Sequence, residues 1–136
     1  MDTVKIIVKV DYNGNNFEAY LSDLDGCVAT GQTLEEVKQR ITEAVHLHVQ
    51  SSIEDDDPIP EQFKQDYELA FCISVEALLN HYSEIFTKAA LSRITGINER
   101  QLWFYAAGRR KPREEQRKRI EAGLRKLGNE LADVNL

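Results

Sequence analysis

Residues 26–48, GCVATGQTLEEVKQRITEAVHLH, contain the change from strand to helix that decides the fold of the first half. Thr33 and Glu36 form a capping box: the Thr33 hydroxyl can accept from the amide three residues on, while Glu36 reaches back to the Thr33 amide. Side chains suited to a buried face then recur at helical spacing, at Leu34, Val37, Ile41, Ala44, Val45 and His48. The stretch therefore predicts a short strand at 27–30 and a helix with one face packed on a sheet.

Alternation of period two predicts the other strands of this sheet. Residues 4–10, 17–22 and 67–73 each place apolar side chains at every second position, as strands with one buried face do. Asn13-Gly14 supplies the positive φ angles that a hairpin turn needs, and residues 23–26 form a second turn. The predicted order is β-β-β-α-β.

An acidic segment at residues 51–66 interrupts these patterns. It contains four consecutive carboxylates and two prolines: Glu54, Asp55, Asp56, Asp57, Pro58 and Pro60. This composition predicts a solvated loop. Two interpretations stay open, a loop that keeps the chain soluble and an anionic patch that steers a basic partner towards it.

The second half predicts helices throughout. Ser74 can cap a first helix that carries Val75, Leu78, Leu79, Tyr82 and Ile85 or Phe86 on one side. Residues 87–102 have the spacing of a helix-turn-helix, in which Gly96 permits the tight turn, Ile97 plugs it and Asn98 caps the next helix. Leu102 and either Tyr105 or Ala106 are expected to face inward.

The outer side of the second of these helices is a candidate DNA-recognition surface, because a recognition helix places its N-terminal side chains in the major groove. Arginine favours guanine and glutamine favours adenine, so Arg100 and Gln101 suit this role. Glu99 can accept from cytosine or simply repel phosphate elsewhere. Whether Trp103 and Phe104 pack in a core or dimer interface or touch DNA stays open. An ordinary solvated helix face is the alternative interpretation.

Basic residues surround this helix. Residues 88–126 carry 12 basic and 4 acidic side chains, a net charge of +8. Phosphate binding requires such a cluster of arginines and lysines. The candidate DNA-binding residues are Lys88, Asn98, Glu99, Arg100, Gln101, Trp103, Arg109, Arg110 and Lys111.

Residues 114–131 predict a last helix with an apolar stripe. The stripe comprises Ile120, Leu124, Leu127 and Leu131, and continues at Val134. It can pack on its own domain or pair with a second chain, so these first four are candidate oligomerisation residues. Gly123 and Gly128 weaken the helix but allow close approach.

Charge is divided unevenly along the 136 residues. Residues 1–74 carry 5 basic and 15 acidic side chains, a net charge of −10, whereas residues 75–136 carry 12 and 8, a net charge of +4. The whole-chain value of −6 argues against nucleic acid, and the division removes that objection. Two modules with different partners are therefore expected, divided at residue 74.

Several classes of protein are excluded by the sequence. No apolar run approaches the ~20 residues of a transmembrane helix, and the N-terminal stretch lacks a signal-peptide cleavage site. Cys27 and Cys72 are expected to be free buried thiols of a reducing cytosol. We therefore expect a cytoplasmic protein that does not bind membranes.

Catalysis and metal binding are not expected. His46 and His48 point to different sides of their helix, so they do not form a metal site. Asp11, Asp23 and Asp25 fall in turns, and no strand carries a set of carboxylates for divalent metal. The sequence predicts neither an enzyme nor a cofactor.

Taken together, these motifs resemble the HicB family of antitoxins. The family pattern is Pro-Asp-Leu-Pro-Gly-Cys and then Gly-x-Thr-x-x-Glu, where residues 22–27 here read SDLDGC and residues 31–36 read GQTLEE. Ser22 and Asp25 replace the two prolines. The second half resembles the phage-repressor type of helix-turn-helix attached to some HicB proteins, through Thr95-Gly96-Ile97-Asn98, Gln101-Leu102, Tyr105, Gly108 and Lys111-Pro112.

The resemblance implies an α+β protein with a degenerate RNase H-like fold at residues 1–74 and a helix-turn-helix domain at 75–136. It implies that the first domain binds and neutralises a small basic mRNA-cleaving toxin of the HicA type. The second domain would bind operator double-stranded DNA and repress the protein's own operon, as a homodimer or higher oligomer. Candidate toxin-binding residues are Tyr20, Asp23, Leu24, Asp25, Cys27, Glu54, Asp55, Asp56 and Asp57.

A stand-alone helix-turn-helix regulator is the alternative function, with a first half that senses a small ligand. A short basic toxin gene next to this one favours the antitoxin.

Overall fold

The computed structural model describes residues 3–136, which form one four-stranded sheet and five α-helices. The strands are β1 (Val4–Tyr12), β2 (Phe17–Tyr20), β3 (Val28–Gly31) and β4 (Tyr67–Ile73). The helices are α1 (Leu34–Glu54), α2 (Val75–His81), α3 (Lys88–Thr95), α4 (Glu99–Ala106) and α5 (Glu114–Ala132), with a short 3-10 helix at Glu61–Lys64. The predicted α+β class and the order β-β-β-α-β are confirmed.

The chain divides into two compact units. The sheet unit ends at Ala77 and contains the four strands and α1, and the helical unit covers Leu78–Leu136. The division falls within α2.

The sheet has the strand order β3-β2-β1-β4. β2 pairs antiparallel with both β1 and β3, whereas β4 pairs parallel with β1 over its whole length. α1 provides the crossover that a parallel pair needs. The first hairpin turns at Gly14, where φ is +98°, and the Asn13 side chain accepts from the amides of Asn15 and Asn16 at 2.9 and 2.8 Å.

The predicted cap of α1 is present. The Thr33 hydroxyl accepts from the Glu36 amide at 3.0 Å, although the Glu36 carboxylate accepts from Gln32 at 3.4 Å rather than from Thr33. The sequence predicts a solvated loop at residues 51–66, but α1 continues to Glu54, and the 3-10 helix at Glu61–Lys64 buries Phe63. Carboxylates do not prevent a helix, and the first proline comes only at Pro58.

One face of the sheet packs on α1 and the other face is open. The inner side chains of β1, such as Val8, lie in a core with Val37 and Ile41 of α1, which are fully buried. Cys72 lies on the open face, in register with Lys9. Both cysteines are free, as predicted, but Cys72 is exposed and only Cys27 is buried, because one helix covers only one face of a sheet.

α2 begins at its predicted cap but is shorter than predicted. The Ser74 hydroxyl accepts from the Ala77 amide at 3.1 Å and donates to Asp11 at 2.8 Å. The helix ends at His81, and residues 82–86 form a turn in which the Phe86 amide donates to a carbonyl four residues earlier at 2.9 Å. The apolar spacing of residues 75–86 therefore extends beyond the helix.

A tight turn joins α3 to α4. Gly96 ends α3 with φ +75°, which a side chain would strain, and Asn98 begins α4. In the core beneath this pair, the predicted Ile97, Leu102 and Tyr105 are buried together with Leu79, Leu91 and Ile120.

α5 packs against α3 through Gly123. A Cβ atom at Gly123 would lie 2.6 Å from the carbonyl oxygen of Ile94, so only glycine fits at this distance. Gly128 has no atom within 4 Å of its Cβ position. Close approach therefore explains Gly123 but not Gly128.

Candidate functional site

The first turn of α4 carries side chains that the sequence assigns to DNA. The Asn98 side chain accepts from a backbone amide three residues on at 2.8 Å, so it caps the helix. Leu102 and Tyr105 point into the core, which leaves Glu99 and Arg100 exposed. Arg100 is thus an exposed cation at the start of α4, where a recognition helix meets base edges.

Gln101 is half-buried, and both ends of its side-chain amide are engaged. Its nitrogen donates to the Tyr105 hydroxyl at 2.9 Å and its oxygen accepts from the Arg110 guanidinium at 3.3 Å. These two bonds fix the orientation of the amide and help to hold Arg110, and they leave one N–H and one oxygen lone pair of Gln101 for a base.

Neither aromatic side chain that the sequence left open packs in the core. Phe104 is half-buried, with the guanidinium groups of Arg100 and Arg110 at 5.6 and 5.1 Å from its ring centre. Trp103 is 60% exposed, and the Lys88 ammonium lies 4.8 Å from its ring. The two rings therefore hold three cations, Lys88, Arg100 and Arg110, beside α4.

Arg110 belongs to a run of three cations, residues 109–111, that follows the end of α4. Gly108 has φ +73°, and the amides of Arg109 and Arg110 then donate to the carbonyl of Phe104 at 3.0 and 3.4 Å, which closes the helix end. The side chains of Arg109, Arg110 and Lys111 are exposed. A rigid connection of this kind holds charge beside α4, where phosphates would lie.

The turn between β2 and β3 separates its candidate toxin-binding residues into two groups. Leu24 and Cys27 are each 4% exposed and belong to the core of the sheet unit, so as folded they do not offer a contact surface. This corrects the assignment of both residues, because the apolar members of the turn fold inward. Asp23 and Asp25 are exposed.

Tyr20 lies elsewhere, on the open face of the sheet. It is in register with Lys9 of β1 and Val28 of β3, and all three side chains are exposed. Tyr20 is therefore available to a partner that covers this face.

The four carboxylates at residues 54–57, here called the acidic turn, form an ordered end to α1. The amides of Asp55 and Asp57 donate to carbonyls of the preceding helical turn at 3.0 and 2.8 Å, and Asp56 has φ +56°. All four side chains are exposed, and no basic residue lies in the last turn of α1. The C-terminal end of a helix dipole is negative, so carboxylates placed there are destabilised. A cationic partner at this site would relieve that repulsion.

Burial raises the pKa of the Cys27 thiol above its ordinary value of 9.0. Burial is also the main cause that raises the pKa of the Tyr67 phenol above 10.0, and the nearby Cys27 raises it further. Both groups are therefore neutral near pH 7. The thiol of Cys27 is protected by packing rather than activated for chemistry.

The free energy of unfolding is expected to fall as the pH rises above about 9, because the unfolded chain then releases protons that the folded chain retains. This contribution is fully present below the ordinary pKa values and is lost as the pH passes through the raised ones. Urea denaturation between about pH 7 and 10.5 measures it.

Cys27→Ala should reduce this dependence on pH, and Cys72→Ala, which changes an exposed thiol, should leave it unchanged. An equal dependence in wild type and Cys27→Ala would contradict the assignment.

The stripe on α5 divides between core and surface. Ile120 is 2% exposed in the core of the helical unit, and Leu124 and Leu127 are half-buried. Ile120 is therefore not available to a second chain, which corrects its assignment to oligomerisation. Leu131 is exposed and is the stripe residue best placed to meet a partner.

A groove between α1 and β4 was not anticipated from the sequence. It is lined by Thr42, Glu43, His46, Leu47, Gln65, Asp66, Tyr67, Glu68, Leu69 and Phe71. The alternating pattern at residues 67–73 predicts a strand, but it does not show that this strand lies at the edge of the sheet, where the groove forms.

Among residues 3–136, no group of three or more His, Cys, Asp or Glu side chains is arranged to hold a metal ion. Within the same range, no helix combines the length and apolar character needed to cross a membrane.

Comparison with known proteins finds similarity in the sheet unit. The model of the HicB-like antitoxin of bacterial toxin-antitoxin systems matches residues 4–70. The UPF0150 protein ssr1765 of Synechocystis sp. is 33% identical over 57 residues, which cover 42% of this chain and 71% of that protein. No solved structure shows a significant match.

Proposed function

Because the chain belongs to the HicB-like antitoxin family, we propose that it is the antitoxin of a type II toxin-antitoxin pair, a non-enzymatic regulator that binds and neutralises a small basic mRNA-cleaving toxin. Residues 1–74 bind the toxin. Residues 75–136 bind operator DNA and repress the operon, and the complex forms in the cytoplasm.

The observation that carries toxin binding is the acidic turn at the end of α1. Four exposed carboxylates at residues 54–57 share the negative end of a 21-residue helix, and no cation lies in its last turn. Repulsion among these charges is relieved when a basic surface docks, which also speeds encounter. We also propose that the exposed side chains of Asp23, Asp25 and Tyr20 contact the toxin.

Support for DNA binding comes from the helical unit. α3 and α4 are joined by the Gly96 turn, as a helix-turn-helix would require, and Arg100 and Glu99 are exposed at the start of α4. Lys88, Arg109, Arg110 and Lys111 supply positive charge for phosphates, and Trp103 is exposed among them. We propose that Asn98 and Gln101 act by ordering α4 and Arg110. We propose that Leu131 and Val134, which are both exposed, form the contact between two chains of a dimer.

Co-expression of the full chain with the neighbouring gene, where that gene encodes a short basic protein, tests the pairing with a toxin. We expect a stable complex and loss of mRNA cleavage. Failure to form a complex, with promoter DNA still bound, would instead support a stand-alone regulator.

Removing the charge of the acidic turn is expected to slow association with the toxin about tenfold and to weaken its salt dependence. The variant Asp55→Asn, Asp56→Asn and Asp57→Asn keeps the shape of the turn, and asparagine tolerates the positive φ at residue 56. Stopped-flow or surface-binding kinetics at two salt concentrations measure the effect.

The matched control neutralises three exposed carboxylates of α5, in Glu115→Gln, Glu121→Gln and Glu130→Gln. Its association rate should stay within about twofold of wild type. Equal slowing in both variants would show an effect of net charge and remove the acidic turn from the site.

A further inference from the structure

β4 is an edge strand with unused backbone groups. β4 is the last strand in the sheet order, so β1 is its one neighbour among the described strands. The amide of Val4 donates to the carbonyl of Asp66, and the amide of Ser74 donates to Val10, so the even-numbered residues of β4 face β1. In a parallel ladder the alternate residues face the other way. The amides and carbonyls of Tyr67, Leu69, Phe71 and Ile73 therefore point outward.

This edge has few of the features that usually protect a sheet edge, and Glu68 is the one charged side chain on the strand. β4 has seven residues paired without a bulge, and its sequence YELAFCI contains neither proline nor lysine. The opposite edge, β3, has four residues and leads directly into α1. Long, flat and apolar edges readily pair with another strand. β4 is thus the edge of this sheet that can accept one.

The groove described above runs along the same edge and gives an added strand a place for its side chains. α1 packs closest to β3 and β2, so Leu69 and Phe71 of β4 remain half-buried. Leu47 on the facing side of α1 is 67% exposed. These three side chains form an apolar floor and wall, which an inward-facing apolar residue can fill.

The charge of the groove selects the partner. Glu43, Asp66 and Glu68 line it, with His46 as its basic member and Lys38 over the Phe71 ring at 5.2 Å. A second copy of this chain would bring the same carboxylates against this surface. Its residues 1–74 also carry a net charge of −10. Like charges oppose that pairing, whereas a basic chain complements it.

We propose that β4 binds one strand of a basic protein, which extends the sheet as a fifth strand and places apolar side chains in the groove between α1 and β4. The inference rests on the proposed function, since this basic partner is the toxin. Main-chain hydrogen bonds to Leu69 and Phe71 supply binding, and the groove supplies selectivity.

Amide hydrogen exchange, followed by NMR on the full chain with and without the toxin, tests this directly. In the free protein, the amides of Glu68, Ala70 and Cys72 should be protected by β1, while those of Leu69 and Phe71 exchange quickly. Toxin binding should slow exchange at Leu69 and Phe71 by about tenfold or more. Protection that alternates along one strand is the mark of sheet extension.

A matched pair of variants tests the groove. Leu47→Lys places a cation on its wall and should weaken toxin binding about tenfold, while Gln32→Lys adds the same charge just before α1, outside both the groove lining and the acidic turn, and should change it less than about twofold. Both side chains are exposed, so neither substitution removes core packing.

The outcomes separate the two proposals. A complex that forms without protecting Leu69 and Phe71 overturns the strand proposal and leaves toxin binding intact. No complex at all overturns both. Protection of these amides in the toxin-free protein that grows with concentration would show that a second copy occupies the edge.

Discussion

Gly123→Ala is expected to lower the free energy of unfolding of the helical unit by about 2 kcal/mol, although alanine is the better helix former. The added Cβ would lie 2.6 Å from the carbonyl oxygen of Ile94 and 3.0 Å from its side chain. The closer atom is backbone, which no rotamer change can move away, so α5 must shift from α3. Chemical denaturation followed by circular dichroism measures the loss.

Gly128→Ala is the matched control on the same helix. Nothing lies within 4 Å of its Cβ position, so alanine should stabilise the unit by about 0.5–1 kcal/mol through helix propensity alone. Opposite signs for the two substitutions are the expected result. If both stabilise the protein, α5 does not pack against α3 at this distance.

Arg100→Ala is expected to weaken operator binding by roughly 1–3 kcal/mol and to relax its sequence preference. Arg100 is an exposed cation on the first turn of α4, and its guanidinium lies against the Phe104 ring, which limits the rotamers that it must lose on binding. A gel-shift titration with promoter DNA and with a scrambled duplex measures both affinity and preference.

Lys126→Ala provides the control, because it removes an exposed cation of α5 rather than of α4. It should change the two affinities little and by equal amounts. An unchanged operator affinity for Arg100→Ala would rule out the assigned role. Equal losses on both duplexes would show that Arg100 contacts phosphate and not a base edge.

The engagement of Gln101 changes where sequence preference is expected to arise. Sequence spacing pairs Arg100 with Gln101 as base-reading residues, but the Gln101 amide already bonds Tyr105 and Arg110. Gln101 can therefore offer a base only its remaining N–H and lone pair, in a fixed orientation, whereas the side chains of Arg100 and Glu99 are exposed. Residue type and helix position indicate a surface, but they do not show which side chains are occupied within it.

Local chemistry allowed much of the fold to be predicted. The period of two in β1, the Asn13-Gly14 turn and the caps at Thr33, Ser74 and Asn98 all follow from neighbouring residues, and all are present. Helix ends were harder to predict. α2 stops at His81 although apolar spacing continues, and α1 continues to Glu54 although charge accumulates.

The sequence by itself determined the order of the elements, the inward side of each and the division of charge, because these depend on residues close together along the chain. Only the tertiary structure decided what covers each side. One helix covers one face of the sheet, so Cys27 is buried and Cys72 is exposed, and Ile120 is used within its own unit. The free edge of β4 and the need for glycine at residue 123 also follow from how the elements pack against one another. Burial and close approach depend on segments that are distant in sequence, and a local pattern does not specify which segments meet.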